Sequence, residues 1–221
     1  MEINNYINKI INGDCLEVMK EIPSNSVDLI LTDPPYGDGT GYGRYNKTIL
    51  SNETPDINKH IMPYLYRLLK NDRTFYCFTN WKFAYLVRDY AESVGFTTKM
   101  LCVIVKNNIG MGSTFRNQYE LCWVFEKGTP TYNKQISNVL RMEYIHHDET
   151  THPHQKGMNI ITQLIDITDA ELVLDCFSGS GTTAIACHEL KRNFICIEKD
   201  INYYNMSQKR YINKKSQLTL F

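Results

Sequence analysis

The sequence predicts an α/β fold: a mostly parallel sheet with helices on both faces. Three observations predict it. Short runs that are apolar throughout, rather than alternating, read as strands buried on both sides. Amphipathic stretches of helix length separate most of these runs, as crossover connections between parallel strands require. Two of the runs are joined by a loop without helical signal, so they pair antiparallel as an edge hairpin. With 221 residues, 43% hydrophobic and 22% charged, the chain is large enough for one domain with a real core and too apolar for a disordered one.

In chain order, a helix over Cys15–Glu21 follows Asn12-Gly13-Asp14, and Val27–Thr32 is the first strand. Gly37, Gly39, Gly41 and Gly43 then open a polar stretch, residues 37–60, which reads as a mobile, functional glycine-rich loop. A helix over Ile57–Lys70 leads to a strand at Thr74–Thr79, and a second helix over Trp81–Val94 follows. Lys99–Val105 and Tyr119–Glu126 are the hairpin strands. Residues 127–157 are polar and hold His146, His147, His152 and His154, whose spacing does not suit a metal site. The remainder reads as helix Met158–Ile167, strand Glu171–Asp175, helix Gly181–Leu190, strand Asn193–Glu198 and helix Ile201–Lys214.

Composition excludes several classes. No run approaches the ~18 consecutive apolar residues of a membrane span. The opening Met1-Glu2-Ile3-Asn4-Asn5 lacks the basic and apolar regions of a secretory signal, so a cytoplasmic protein is expected. Seven scattered cysteines without a Cys-x-x-Cys pair read as reduced core residues, not a disulfide framework or a zinc site. The formal net charge is zero, yet residues 70–116 and 191–215 are locally basic. That pattern suits either a nucleic-acid partner or solvated helix faces.

Three motifs carry chemistry. Thr32-Asp33-Pro34-Pro35-Tyr36-Gly37 comes at the end of a strand, and in open α/β sheets ligands bind outside the carboxyl ends of strands. The prolines stiffen the turn and remove donors, which leaves the Pro34 carbonyl as an acceptor beside the Asp33 carboxylate. Together they can hold both hydrogens of an amino group on a ring, localising the nitrogen lone pair and making it nucleophilic. Tyr36 offers a face for a flat base, worth about 1–3 kcal/mol. The same residues also suit a proline-rich turn with a capping aspartate. The second motif, Asp175-Cys176-Phe177-Ser178-Gly179-Ser180-Gly181-Thr182-Thr183, joins a strand to a helix. Its glycines permit close approach of a ligand, and the helix amino end favours a carboxylate or phosphate. It lacks the spacing of a dinucleotide fingerprint and the lysine of a phosphate loop. Glu198, ending the next strand, suits ribose hydroxyls by the logic of nucleotide folds. In the third motif, Asp14 either caps the helix that follows or accepts a hydrogen bond from an adenine amino group.

These blocks, in this order, resemble an S-adenosylmethionine-dependent amino-group DNA methyltransferase of the circularly permuted beta class. There the Asp-Pro-Pro-Tyr catalytic block precedes the Phe-x-Gly-x-Gly cofactor block, as it does here. Asn12–Val18 matches the acidic turn before the catalytic strand. Thr151-His152-Pro153-His154-Gln155-Lys156-Gly157 resembles the block ahead of the cofactor strand, with Gly157 where that block ends in proline. The resemblance covers roughly residues 10–37, 74–126 and 151–211. It implies a Rossmann-like, seven-stranded methyltransferase fold with one antiparallel strand, in a catalytic domain over residues 1–215. It implies that Asp33, Pro34, Pro35 and Tyr36 are catalytic, acting on a base swung out of the duplex. It implies a cofactor site of Asp14, Cys15, Asp33, Gln155, Lys156, Asp175, Phe177, Ser178, Gly179, Ser180, Gly181, Thr182, Thr183, Glu198 and Lys199. Glu198 would hold the ribose and Asp14 the adenine amino group. Transfer would be direct, with neither a covalent enzyme intermediate nor a metal, so Cys15 and Cys176 are not nucleophiles.

Asp33 at the first position of its block resembles adenine-N6-directed members, whereas many cytosine-N4 members carry serine there. A non-catalytic DNA- or clamp-binding module is the rival of a different class, and the intact Asp33–Tyr36 block argues against it. The interval where relatives carry a target-recognition insertion is short, residues 127–150, so specificity is short, relaxed, or borne by other loops. Tyr36, Tyr42, Arg44, Tyr45, Lys106 and Arg116 are the candidate contacts to double-stranded DNA. An arginine can read guanine or bind phosphate. A second subunit, in a homodimer, is another source of DNA contacts. Residues 216–221 form a tail in which Gln217-Leu218-Thr219-Leu220-Phe221 resembles the peptide by which bacterial replication and repair proteins bind the sliding clamp. There Leu218, Leu220 and Phe221 would meet an apolar pocket and Gln217 its edge. Alternatively, the tail folds back on its own domain.

Overall fold

Val27–Thr32 is buried at all six of its positions, so it must lie inside a sheet covered on both faces. The structure, a computed structural model, describes residues 2–35, 56–110, 113–143 and 157–218. Its strands are β1 (Lys9–Asn12), β2 (Val27–Thr32), β3 (Leu69–Thr79), β4 (Thr97–Val105), β5 (Tyr119–Lys127), β6 (Val139–Arg141), β7 (Leu172–Asp175) and β8 (Asn193–Glu198). The helices are α1 (Cys15–Glu21), α2 (Asp56–Leu68), α3 (Ala84–Ser93), α4 (Met158–Asp166), α5 (Thr182–Glu189) and α6 (Ile201–Leu218). Among the described residues, no helix is long and apolar enough to cross a membrane.

The strands form one sheet in the order β1-β8-β7-β2-β3-β5-β4-β6, parallel except for β5. Two expectations are corrected. The sheet has eight strands, not seven. The antiparallel strand is not at an edge, because β6 pairs parallel to the outer side of β4 and makes the edge itself. The Tyr119–Lys127 strand thus lies between β3 and β4, paired on both sides, and is buried at six of its last seven positions.

Each face of the sheet carries a core. Leu29, Leu31, Tyr76 and Phe78 pack with Ile160, Ile161 and Leu164 of α4 and with Ala184 and Cys187 of α5. Ile30, Phe75 and Cys77 point the other way, to Met19 of α1, Ile61, Met62 and Leu65 of α2, and Val87 of α3. All seven cysteines are buried free thiols, as their placement in apolar runs implied. At the amino end of the sheet, buried Asp28 pairs with Lys70 at 2.8 Å and Arg73 at 3.5 Å and accepts the Leu172 N–H. These partners explain why β3, which begins at Leu69, includes the polar run 70–73 before the apolar stretch that marks it in sequence.

From β2 the chain crosses through α2 to β3. From β7, the neighbour of β2, it crosses through α5, on the opposite face, to β8. The connections therefore diverge between β2 and β7, which opens a crevice at the carboxyl ends of these strands.

Candidate functional site

Four sequence motifs converge on that crevice. Asn12-Gly13-Asp14 ends β1, Glu198 ends β8, Asp175 ends β7 and Asp33 follows β2, and these four strands are adjacent in that order. Their tips are tied laterally. The Asn12 side-chain amide donates to the carbonyls of Glu198 (2.9 Å) and Lys199 (3.2 Å), and the Gly13 N–H donates to the Glu198 carbonyl (3.0 Å). Asp14 caps α1 by accepting the Leu16 N–H at 2.9 Å, while its other oxygen lies 3.2 Å from the Lys199 ammonium. Both readings of Asp14 remain compatible, because the cap uses one carboxylate oxygen and the side chain is partly exposed.

Glu198 is held in a fixed orientation. One oxygen accepts the Gly179 N–H and the other the Asp200 N–H, each at 2.8 Å. Each keeps a lone pair for a further donor. Burial raises its pKa, against the opposing effect of those two N–H groups.

The loop after β7 is a cradle. Gly179 and Gly181 have positive φ, +50° and +81°, a region closed to most side chains. A Cβ on Gly179 would meet nothing within 4 Å, so the backbone there faces open space. A Cβ on Gly181 would come within 2.8 Å of the Ser207 Cβ, so this glycine lets α6 pack against the loop. Arg210 of α6 donates to the Ser180 carbonyl. The Ser178 hydroxyl is buried without a hydrogen-bond partner among the described residues, which a ligand in the cradle would remedy.

Asp175 lies beneath the cradle, fully buried. It accepts hydrogen bonds from the Thr32 hydroxyl (3.2 Å), the Thr183 hydroxyl (2.6 Å) and the Phe177 N–H (3.1 Å). Burial pushes its carboxyl up to about 7, with these three donors opposing the rise. Thr32 also contacts the Cys176 sulfur at 3.3 Å. Thr32 opens the first motif, but the sequence reading assigned it no role: it is a buried hydroxyl one position before Asp33 that ties the β2 tip to the β7 tip. Its signal was a polar residue closing an otherwise apolar strand directly before the diproline corner. Asp33 is half-buried and Pro34 buried. Burial raises the Cys15 thiol to about 12 and lifts Cys176 well above its ordinary value, so both are protonated and poorly nucleophilic.

Lys106 and Arg116 lie at the same end of the sheet but off the crevice, on the β4–β5 connection. Lys106 pairs with Glu120 at 3.6 Å, and the Arg116 Nε donates to the Gly110 carbonyl at 2.5 Å. Gly157, the position that departs from proline, has φ −57° and ψ 125°, which proline itself could adopt. Met142 and Asn159 occupy the space a Cβ would need there. Tyr36, Tyr42, Arg44, Tyr45, the four histidines, Gln155, Lys156, Leu220 and Phe221 lie outside the described residues, as do the side chains of Gln217 and Leu218. The α6 backbone is helical through Leu218, four residues beyond the predicted helix end.

A family model described as DNA methylase, for N6 and N4 enzymes, matches residues 27–209. The chain is 30% identical over 207 residues to the protein named "Putative methylase YubD" of Escherichia coli strain K12, covering 92% of this chain and 90% of that one. It resembles the crystal structure of the M1.HpyAVI complex with S-adenosylmethionine, with TM-score 0.70 and 28% identity over 91% of this chain and 98% of that one. The PvuII DNA methyltransferase, titled cytosine-N4-specific, superposes with TM-score 0.77 at 18% identity over 92% of this chain and 86% of that one, a likeness of fold.

Proposed function

Because this chain belongs to the N6/N4 DNA methylase family, whose cofactor is S-adenosylmethionine, we propose that it methylates the exocyclic N6 amine of a flipped adenine in DNA. One observation carries the reading: the acidic tips Asp14, Asp33, Asp175 and Glu198 meet at the carboxyl ends of four adjacent strands, across the point where the connections diverge. The residues present fit the cofactor. A buried hydroxyl at Ser178 lacks a partner among the described residues, the backbone at Gly179 faces open space, and Glu198 has acceptor capacity for vicinal hydroxyls.

Bound there, S-adenosylmethionine supplies an electrophilic methyl group on a cationic sulfur. Glu198 accepts from the ribose hydroxyls, and the half-exposed oxygen of Asp14 accepts from the adenine amino group of the cofactor. Asp175, Phe177, Ser180, Gly181, Thr182 and Thr183 shape the methionine end, with Cys15 and Lys199 flanking. Opposite them, the Asp33 carboxylate and the Pro34 carbonyl accept the two N–H bonds of the target amine, and Pro35 holds the corner rigid. Asp33 is placed to take the proton that the amine sheds. Tyr36 stacks on the base. In sequence terms, aspartate at the first position of this block favours adenine over cytosine.

Methylating DNA with the purified protein, digesting it to nucleosides and identifying the modified one tests the reading. N6-methyladenosine is expected; N4-methylcytidine alone would refute the choice of base. Asp33→Ala should abolish transfer while retaining affinity for S-adenosylhomocysteine. A protein that modifies nothing but binds DNA would be the non-catalytic module. We further propose that Gln217–Phe221 docks on a sliding clamp, where the local concentration of DNA would offset weak sequence selectivity. Removing these five residues should remove clamp binding and spare activity on short duplexes; equal clamp affinity without them would refute it.

A further inference from the structure

The register of the sheet continues the catalytic end beyond Asp33. Thr32 pairs with Cys77, so β3 rises two residues further to Thr79; Thr79 pairs with Leu121 of β5, and Val105 of β4 pairs with Tyr119. The segments that emerge here are exposed and aromatic. Trp81 is 56% exposed, Phe115 94% and Tyr119 38%. Neither Trp81 nor Phe115 sits on a loose tether. The Asn80 side chain accepts the N–H groups of Lys82 and Phe83, which fixes the turn that carries Trp81. The β4–β5 connection is braced by Lys106 N–H to the Gln118 carbonyl (2.8 Å), Gly110 N–H to the Asn117 carbonyl (2.7 Å) and the Arg116 side chain. Rigid aromatics held in water need a partner.

The cations say which one. Lys82 adjoins Trp81, its ammonium 6.0 Å from the ring centroid, Arg116 follows Phe115 in the chain, and Lys106 opens the same β4–β5 connection. The acid among them, Glu120, is already paired with Lys106. Aromatic faces interleaved with basic side chains match stacked bases between phosphates. From β2 to β4 is three strand spacings, about 14 Å, similar to the ~12 Å width of a major groove.

We propose that Trp81, Phe115 and Tyr119, flanked by Lys82, Lys106 and Arg116, form the surface on which duplex DNA lies beside the catalytic corner, with Trp81 and Phe115 wedging between base steps parted as the target base swings out. The proposal rests on Asp33–Pro35 being the seat of the target base. It also supplies base contacts that the short 127–150 interval does not.

The probe is a fluorescein-labelled short duplex that the unmodified protein has been shown to methylate. Trp81→Ala and Phe115→Ala should each weaken its binding by about tenfold or more, with unchanged melting temperature and unchanged affinity for S-adenosylhomocysteine. Trp81→Phe, which keeps a stacking face, should recover most of the loss. Arg116→Ala should instead lower the salt dependence of binding by about one counterion. The chain has two tryptophans, and Trp123 is tied inside the fold by its indole N–H to the Ala84 carbonyl. DNA should therefore quench emission in the unmodified protein and much less in Trp81→Phe. Duplex affinity and quenching that match the unmodified protein in all aromatic variants would overturn the surface while leaving the catalytic reading intact. An Asp33→Ala protein with full transfer activity would overturn both.

Discussion

Replacing Thr32 by valine keeps the shape of the side chain and removes the hydroxyl that Asp175 accepts at 3.2 Å. Asp175 is buried, and its carboxyl is raised from 3.8 to about 7. An acid with a raised pKa in the folded state binds its proton more tightly there than when unfolded. Its contribution thus favours folding fully below 3.8 and is lost as pH rises through about 7. At about 1.4 kcal/mol per pH unit, holding the carboxylate charged above pH 7 costs about 4 kcal/mol, an order-of-magnitude figure. The three donors are what keep that cost from being larger. Removing one from a charged acceptor should destabilise the protein by about 2 kcal/mol at about pH 8.5, and removing it from the neutral acid by about 1 kcal/mol at about pH 5.5. For a chain of this size that is a fall in Tm of roughly 4–8 °C against roughly 2–4 °C. Thermal denaturation of Thr32→Val and Thr32→Ser at both pH values is the assay, with serine expected to restore most of the loss. A loss for valine that is equal at the two pH values would refute the reasoning, because it would mean that the hydroxyl is not bonded to a titrating carboxylate.

Lys127→Met should lower stability by about 3 kcal/mol. The buried ammonium donates to the carbonyls of Tyr66 (2.8 Å) and Leu69 (2.7 Å) at the carboxyl end of α2 and to Asn25 (3.0 Å), and a thioether leaves all three acceptors unpaired. A urea midpoint close to that of the unmodified protein would contradict this. Gly181→Ala and Gly179→Ala should behave differently although both put a Cβ at positive φ. At Gly181 the new carbon meets Ser207 of α6, so a loss of more than about 2 kcal/mol is expected. At Gly179 it enters open space, so only about 1 kcal/mol is expected, with a loss of S-adenosylhomocysteine affinity measured by calorimetry. Similar melting curves for the two variants would refute the packing argument.

What was legible in the sequence follows from where each element gets its stability. β2 and β8 were read to the residue, because a strand buried on both faces is mostly apolar, as Leu29–Leu31 and Phe194–Ile197 are here. β1 offers only Ile10 and Ile11 between polar ends. It exists because it pairs with β8, opposite Ile195–Glu198, and that partner is more than 180 residues away. β6 is three residues long and owes its conformation to β4 in the same way, so the edge was assigned to the wrong strand. The site shows the same division. Asp14, Asp33, Asp175 and Glu198 could be marked because each ends a strand or opens a turn. Thr32 also ends its strand, yet its role could not be assigned, because it depends on a neighbour 143 positions along the chain.

That dependence also explains why the crevice does not require its motifs to follow one order along the chain. The contacts that tie the strand tips to one another are lateral: Asn12 to Glu198, Glu198 to Gly179, Asp175 to Thr32. None needs its two partners to be close in sequence; each needs only that their strands end side by side. β2 and β7 are joined by hydrogen bonds in the sheet, through Leu29–Val173 and Ile30–Leu174, whatever connects them along the chain. The order of catalytic and cofactor blocks is then free to change, provided each strand keeps its own turn. Here α6, which follows the last strand, returns beneath the glycine turn after β7 through Ser207 and Arg210. The cradle is thus braced by an element that neither motif names, and variants of α6 that keep the helix but remove the Arg210 guanidinium should loosen the turn without touching either block.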